Sequence, residues 1–161
     1  QGRAAWRGGG AAAPCHAPAA HPRLTVSRFT YSCAVRWSDL DAYGHVNNAR
    51  FLTIYEEARV ALFFQGAREH GLGSFEEGIV IARHEIDYLR PIDYGDPVRV
   101  EMWISEQRAA SFTVSYELFD AGELASRAKS VCVPYNLVKG HPRRLSGEEK
   151  KFLAPYTEVR S

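Results

Sequence analysis

The sequence predicts an α+β domain in which a five-stranded antiparallel sheet is wrapped around one long central helix. Three observations carry that expectation. Apolar residues alternate strictly over residues 28–37, then switch to helical spacing from residue 51. Four further strand-like segments follow residue 78, and short links around Arg108-Ala109 and Ala121-Gly122 suit hairpins.

In the first strand, Phe29, Tyr31, Cys33, Val35 and Trp37 face one way and Arg28, Thr30, Ser32, Ala34 and Arg36 the other. That is the period of a half-buried strand. A polar, turn-forming run occupies residues 38–48. Phe51, Ile54, Tyr55, Ala58, Ala61 and Leu62 then recur at helical spacing, with Leu52, Phe63 and Phe64 widening the apolar face. Asn47 or Asn48 is a natural N-cap, because a side-chain oxygen can take up a free backbone N–H of the first turn. Gly66 is expected to close the helix in the left-handed conformation, which bounds it at residues 49–65. Only Thr53, Glu56, Glu57 and Arg59 interrupt its apolar surface.

The later strands are expected at residues 79–90, closed by Pro91; 98–107, opened by the Gly95-Asp96-Pro97 turn; 111–119; and 124–137. Phe112, Val114, Tyr116 and Leu118 share one face of the fourth strand. Ser146 can cap a short final helix over residues 147–153, with Glu148 and Glu149 in its first turn, where negative charge suits the helix dipole. One helix cannot cover both faces of such a sheet, so the economical arrangement curves the sheet around it.

Composition narrows the partners. The formal net charge is +1, which offers no broad field for nucleic acid or an anionic membrane, and no apolar run approaches the roughly 18 residues of a spanning helix. Cys15, Cys33 and Cys132 are odd in number and widely spaced, which fits a reducing, cytoplasmic setting rather than a disulfide framework or zinc site. Residues 1–27 are rich in Ala, Gly and Pro and contain no acidic residue, so they are expected to form a disordered arm. Residues 28–140 then make the domain, and residues 141–161 a C-terminal extension with the short helix.

The run Asp39-Leu40-Asp41-Ala42-Tyr43-Gly44-His45-Val46-Asn47-Asn48, continued by Phe51-Leu52-Thr53-Ile54-Tyr55-Glu56-Glu57-Ala58-Arg59, closely resembles the 4-hydroxybenzoyl-CoA thioesterase-like hotdog proteins. Tyr88-Leu89-Arg90-Pro91 and Gly95-Asp96 extend the resemblance, which covers about residues 28–140. It implies the hotdog fold, hydrolysis of an acyl-CoA to free acid and coenzyme A, and a homodimer or homotetramer with its sites at subunit interfaces. Coenzyme A enters as part of the substrate, with no separate cofactor.

By the same resemblance Asp41 is the catalytic carboxylate, acting as nucleophile or as general base for a water. The backbone N–H of Asn48, or of a neighbour, would polarise the thioester carbonyl. The residues support this: charge developing on that oxygen needs preorganised donors, and a helix N-terminus presents free N–H groups at the positive end of its dipole. His45 can orient Asp41, contact substrate or hydrogen-bond the loop. Glu56 is a second carboxylate, on the polar stripe of the helix. It can serve catalysis, position a water, or pair with Arg59 or with an arginine across a dimer. Asp39 suits an Asx-type turn that fixes the loop.

The phosphates of coenzyme A require cations, for which Arg90, Lys139, Arg143 and Arg144 are candidates. Asp39, Asp41 and His45 lack a fourth ligand, so no metal is expected. A thioesterase acting on acyl carrier protein, with Arg143 and Arg144 as a docking patch, is an alternative; so is an acyl-binding hotdog module without catalysis. The sequence has no Gly-x-Ser-x-Gly elbow and no phosphate-binding glycine pattern.

Overall fold

The computed structural model describes residues 26–158; the expected arm over residues 1–27 lies almost wholly outside the described residues. The chain runs β1 (Phe29–Cys33), a 3-10 turn (Trp37–Asp39), α1 (Asn48–Val60), a π turn (Ala61–Gly66) and α2 (Ala67–Glu69). Then come a 3-10 turn (Ser74–Glu77), β2 (Ile79–Tyr88), β3 (Val98–Gln107), β4 (Phe112–Asp120), β5 (Glu123–Asn136), the two-residue β6 (His141–Pro142) and α3 (Gly147–Leu153).

The long strands lie in the order β1-β3-β4-β5-β2, every neighbouring pair antiparallel, and β6 pairs with β5. The sheet curls around α1 as a half-barrel, which is the hotdog fold. Alternation decides its inner face: Val98, Val100, Met102 and Ile104 of β3 and Phe112, Val114 and Leu118 of β4 are completely buried. Phe51, Ile54, Tyr55 and Ala58 of α1 and Leu62 of the π turn close the core from the other side. Burying each such side chain is worth about 1.5–3 kcal/mol before entropy is counted.

The outer face is charged. Arg28 pairs with Glu101 and Glu117, Arg127 also pairs with Glu117, and the Arg28 guanidinium lies 4.2 Å from the ring centre of Trp103. No helix among the described residues is long and apolar enough to cross a membrane.

Three elements differ from the sequence reading. β1 ends at Cys33 because its partner β3 begins opposite it, at Val98, directly after Pro97, which has no N–H to continue a ladder. Trp37, expected on the inner face, is therefore 79% exposed. Gly66 does not cap the helix: its φ is −61°, and the chain continues through the π turn into α2, where Ala67 is fully buried. The left-handed residue comes later, at Gly71, φ +72°. Finally, residues 141–158 are not appended to the domain. Leu145 and Leu153 enter its core, and the Glu158 N–H donates to Ile104 O at 2.8 Å.

Candidate active site

Residues 34–47 join β1 to α1, and from Asp39 to Asn47 they fold back on themselves. Leu40 and Val46 form an antiparallel bridge. The Asp41 N–H donates to His45 O and the Asn47 N–H to Asp39 O, each at 2.8 Å. The reversal falls at Gly44, whose φ of +82° lies where a Cβ is disfavoured. Val46 N–H donates to Ile92 O at 2.8 Å, and His45 bridges to Asp93, so the segment before β3 holds the loop from outside.

This hairpin divides the Asp41 carboxylate. Its Oδ1 accepts hydrogen bonds from the N–H groups of Tyr43 (2.8 Å) and His45 (3.3 Å). Its Oδ2 has no hydrogen-bond partner among the described residues. One oxygen is thus committed to orientation, and the other is available to a water or a carbonyl carbon.

The start of α1 lies on the return arm of the hairpin. Asn47 is the N-cap: its side-chain oxygen accepts from Ala49 N–H at 3.0 Å, and its carbonyl accepts from Arg50 N–H at 2.8 Å. The N–H of Asn48 has no partner among the described residues. Asp41 on the outgoing arm and Asn48 at the start of α1 therefore belong to one short loop-to-helix segment. Tyr88, at the end of β2, donates to Asn48 O at 3.1 Å, and its ring meets Phe51 edge-on at 5.1 Å.

Asp39 is buried and serves the loop. It accepts from the Arg36 N–H at 2.9 Å and pairs with the Arg36 and Arg50 guanidinia. Burial pushes its carboxyl up, but the Arg36 hydrogen bonds and the two arginine charges outweigh that and hold it below the usual carboxylate range. His45 meets Asp41 only through its backbone; its Nε2 lies 3.6 Å from Asp93 Oδ1. Glu56 is exposed on α1 and makes neither hydrogen bond nor ion pair among the described residues.

The four expected phosphate ligands separate into two kinds. Arg90 is paired with Asp120 (2.5 Å) and with Glu123, and Arg143 grips Glu149 through both terminal nitrogens at 2.9 and 2.7 Å. Their charges are already taken up. Lys139 and Arg144 are exposed and have no ion pair among the described residues.

Two features escaped the sequence reading. Arg59, read as part of a polar stripe, is only 7% exposed and donates to Tyr116 Oη at 3.0 Å and Ser130 Oγ at 3.5 Å. Its spacing of four from Tyr55 and eight from Phe51 was the available signal, since that row faces the core. The second is a cavity of about 190 Å³ between β1 and α1, lined by Tyr31, Cys33, Asp39, Arg50 and Glu57 among others. Glu57 accepts there from the Tyr31 hydroxyl and the Cys33 thiol, both at 3.3 Å. Burial, with the Glu57 carboxylate beside it, pushes the Cys33 thiol up to about 12. Among the described residues no group of three or more His, Cys, Asp or Glu could hold a metal ion.

A curled antiparallel sheet around a long helix, with a hairpin leading into the start of that helix, defines the hotdog fold. The chain belongs to the thioesterase-like superfamily, whose family model matches residues 35–155. It is 32% identical over 131 residues to the 1,4-dihydroxy-2-naphthoyl-CoA hydrolase of Gloeothece citriformis, covering 77% of this chain and 90% of that one. The hydrolase of the same name from Picosynechococcus sp. is 33% identical over 95 residues, 56% of this chain; the match spans 64% of the relative's length. Among solved structures, a thioesterase of Thermus thermophilus complexed with coenzyme A and zinc superposes with a TM-score of 0.69 at 33% identity, covering 79% of this chain and 92% of that one.

Proposed function

We propose that this protein is an acyl-CoA thioesterase acting on an aromatic acyl group, with Asp41 as the group that initiates attack. The observation that carries the reading is the divided carboxylate: Oδ1 fixed by two backbone N–H groups, Oδ2 unengaged, at the mouth of a capped helix whose Asn48 N–H is unpaired among the described residues. The aromatic acyl group is taken from the relatives named as naphthoyl-CoA hydrolases.

In this reading the thioester oxygen accepts from the Asn48 N–H, and the positive end of α1 stabilises the negative charge that develops there. Oδ2 of Asp41 either takes a proton from water as the hydroxide adds to the carbonyl carbon, or attacks that carbon itself to form an acyl–aspartyl anhydride that water then opens. Either way the carbon–sulfur bond breaks, the coenzyme A thiolate leaves and is protonated, and the acid is released. Lys139 and Arg144, rather than Arg90 and Arg143, receive the phosphates of coenzyme A. His45 and Glu56 are left outside the chemical step, since neither side chain touches Asp41.

The working unit is a homodimer. β2 ends the sheet with one edge unpaired among the described residues, and most of its length is exposed. Such an edge calls for a covering strand. A reducing, cytoplasmic setting keeps buried Cys33 and Cys132 as thiols.

The test is Asp41→Asn, assayed on 1,4-dihydroxy-2-naphthoyl-CoA, benzoyl-CoA and palmitoyl-CoA. We expect the wild type to favour the aromatic substrates and the variant, folded by circular dichroism, to lose at least about a thousandfold in kcat. Activity within a few-fold of wild type would remove Asp41 from the mechanism.

A further inference from the structure

Arg59 starts a chain of hydrogen bonds whose direction chemistry fixes. A guanidinium has donors only. Its Nη1 donates to Tyr116 Oη at 3.0 Å and, at the limit of a hydrogen bond, to Ser130 Oγ at 3.5 Å. The side chains of Tyr116 and Ser130 are also hydrogen-bonded to each other. With its oxygen accepting from Arg59, Tyr116 sends its own hydrogen to Ser130. Ser130 Oγ, accepting from both, has one hydrogen left to give, and His84 Nδ1 lies 2.8 Å away. Nδ1 is therefore the acceptor, and the proton of the neutral imidazole sits on Nε2. Arg59, Tyr116 and Ser130 are buried, so three enclosed groups set the tautomer of His84, which is exposed. Burial first, and then the Arg59 charge, holds the imidazole below its ordinary 6.5; Glu56 acts the other way and is outweighed. Nε2–H has no hydrogen-bond partner among the described residues.

That donor faces the same side of β2 as the helix start. The bulge between Ile81 and Arg83 places His84, Ile86 and Tyr88 opposite Ser130, Ala128 and Ser126, and these three are buried against α1. His84, Ile86 and Tyr88 thus share the inner face at the rim of the sheet, where Ile86 is half-buried and Tyr88 is 49% exposed. Tyr88 holds Asn48 O and packs on Phe51, and Leu52 of α1 is partly exposed beside them. Four strand residues, roughly 13 Å, separate Tyr88 from His84. An apolar lane therefore leads from the first turn of α1 to a single neutral N–H.

We propose that His84 is a specificity-determining residue whose Nε2–H donates to a hydroxyl on the acyl group, at the end remote from the thioester. The inference rests on the thioesterase reading above and narrows its substrate to a fused-ring aromatic acid with a distal hydroxyl. A donor that loses its water to a plain hydrocarbon ring goes unpaired, so the lane discriminates against the unsubstituted ring. Glu56, close enough to act on His84 by charge, repels a carboxylate at the same place and leaves a neutral oxygen as the fit. A single ring falls short of the span. Arg59, Tyr116 and Ser130 act through His84 and are positioning residues.

The experiment compares 2-naphthoyl-CoA with 6-hydroxy-2-naphthoyl-CoA on wild type, His84→Phe and Ser130→Ala. Steady-state release of coenzyme A is the readout, with circular dichroism to confirm folding. Wild type is expected to favour the hydroxylated substrate about tenfold in kcat/KM. His84→Phe should bring that ratio near one and keep the rate on 2-naphthoyl-CoA within a few-fold. Long-range proton–nitrogen NMR of the imidazole reads the tautomer: Nε2–H in wild type, and a mixture of the two in Ser130→Ala. An Nδ1–H tautomer in wild type overturns the inference. So does a wild type that treats the two substrates alike, or a preference that survives in His84→Phe. Turnover of neither substrate overturns it too, and the Asp41→Asn assay on the other acyl-CoAs decides separately whether the thioesterase reading stands. Should His84→Phe fail to fold, Ser130→Ala decides, and an unchanged tautomer and substrate ratio there count against the inference.

Discussion

Tyr88 donates its hydroxyl hydrogen to the carbonyl oxygen of Asn48, 3.1 Å away, although forty positions separate them in the chain. The bond ties the end of β2 to the first turn of α1, whose exposed N–H is the candidate carbonyl donor. Tyr88 is a positioning residue in this arrangement. Replacing it with Phe keeps the edge contact to Phe51 and deletes one hydrogen bond, worth about 1 kcal/mol. We expect kcat to fall about fivefold with KM nearly unchanged, as measured by steady-state kinetics. An unaltered kcat would mean that the helix start does not depend on this brace.

The C-terminal segment is held by charge as well as by Leu153. Glu149 is fully buried, accepts both terminal nitrogens of Arg143 and completes a reciprocal cap with Ser146. Burial raises its carboxyl, but the Arg143 bonds and the Ser146 N–H outweigh that and hold it below its ordinary value of 4.5. A depressed carboxyl stabilises the fold fully above its unfolded value, and the contribution is lost as pH falls through the folded one. Thermal melts should therefore show the melting temperature dropping as pH is taken from about 5 downward, with a smaller drop in Glu149→Gln. That variant removes the buried one of Arg143's two carboxylate partners and leaves Glu77 at 3.2 Å, so its stability at pH 7 should fall by about 2 kcal/mol. Equal pH slopes in the two proteins would dissociate the pair from acid stability.

Both described cysteines should be inert in the native protein. Cys33 and Cys132 are buried, and each thiol is pushed up to about 12, by burial first and, at Cys33, by the adjacent Glu57. The thiolate is the reactive form, so neither residue should be alkylated by iodoacetamide at pH 8 until the chain is unfolded. Peptide mass spectrometry of native and denatured samples reads this directly. Rapid native labelling of Cys33 would show that the cavity between β1 and α1 opens.

Periodicity carried most of the architecture. Residues 98–107 and 147–153 fall where β3 and α3 do, and the alternation of Phe112, Val114, Tyr116 and Leu118 gives the buried face of β4. The loop before α1 was legible because its turn-forming residues are contiguous, nine of them from Asp39 to the N-cap Asn47. What escaped depends on neighbours remote in sequence. Arg59 is buried because Tyr116 and Ser130 lie 57 and 71 positions away and accept its protons. Arg143 reads as a surface cation until Glu149 folds back onto it. Arg90 and Asp120 meet only when β5 brings its preceding turn alongside. A local pattern reports which face a residue occupies, not who waits for it there.

The lattice of charges on the convex side of the sheet has a consequence for how this molecule can aggregate. Another sheet laid on it would have to dehydrate Arg28, Glu101, Glu117 and Arg127 together, at several kcal/mol for each ion. Face-on stacking against the back of the half-barrel is thereby penalised, and the charges keep that surface in water.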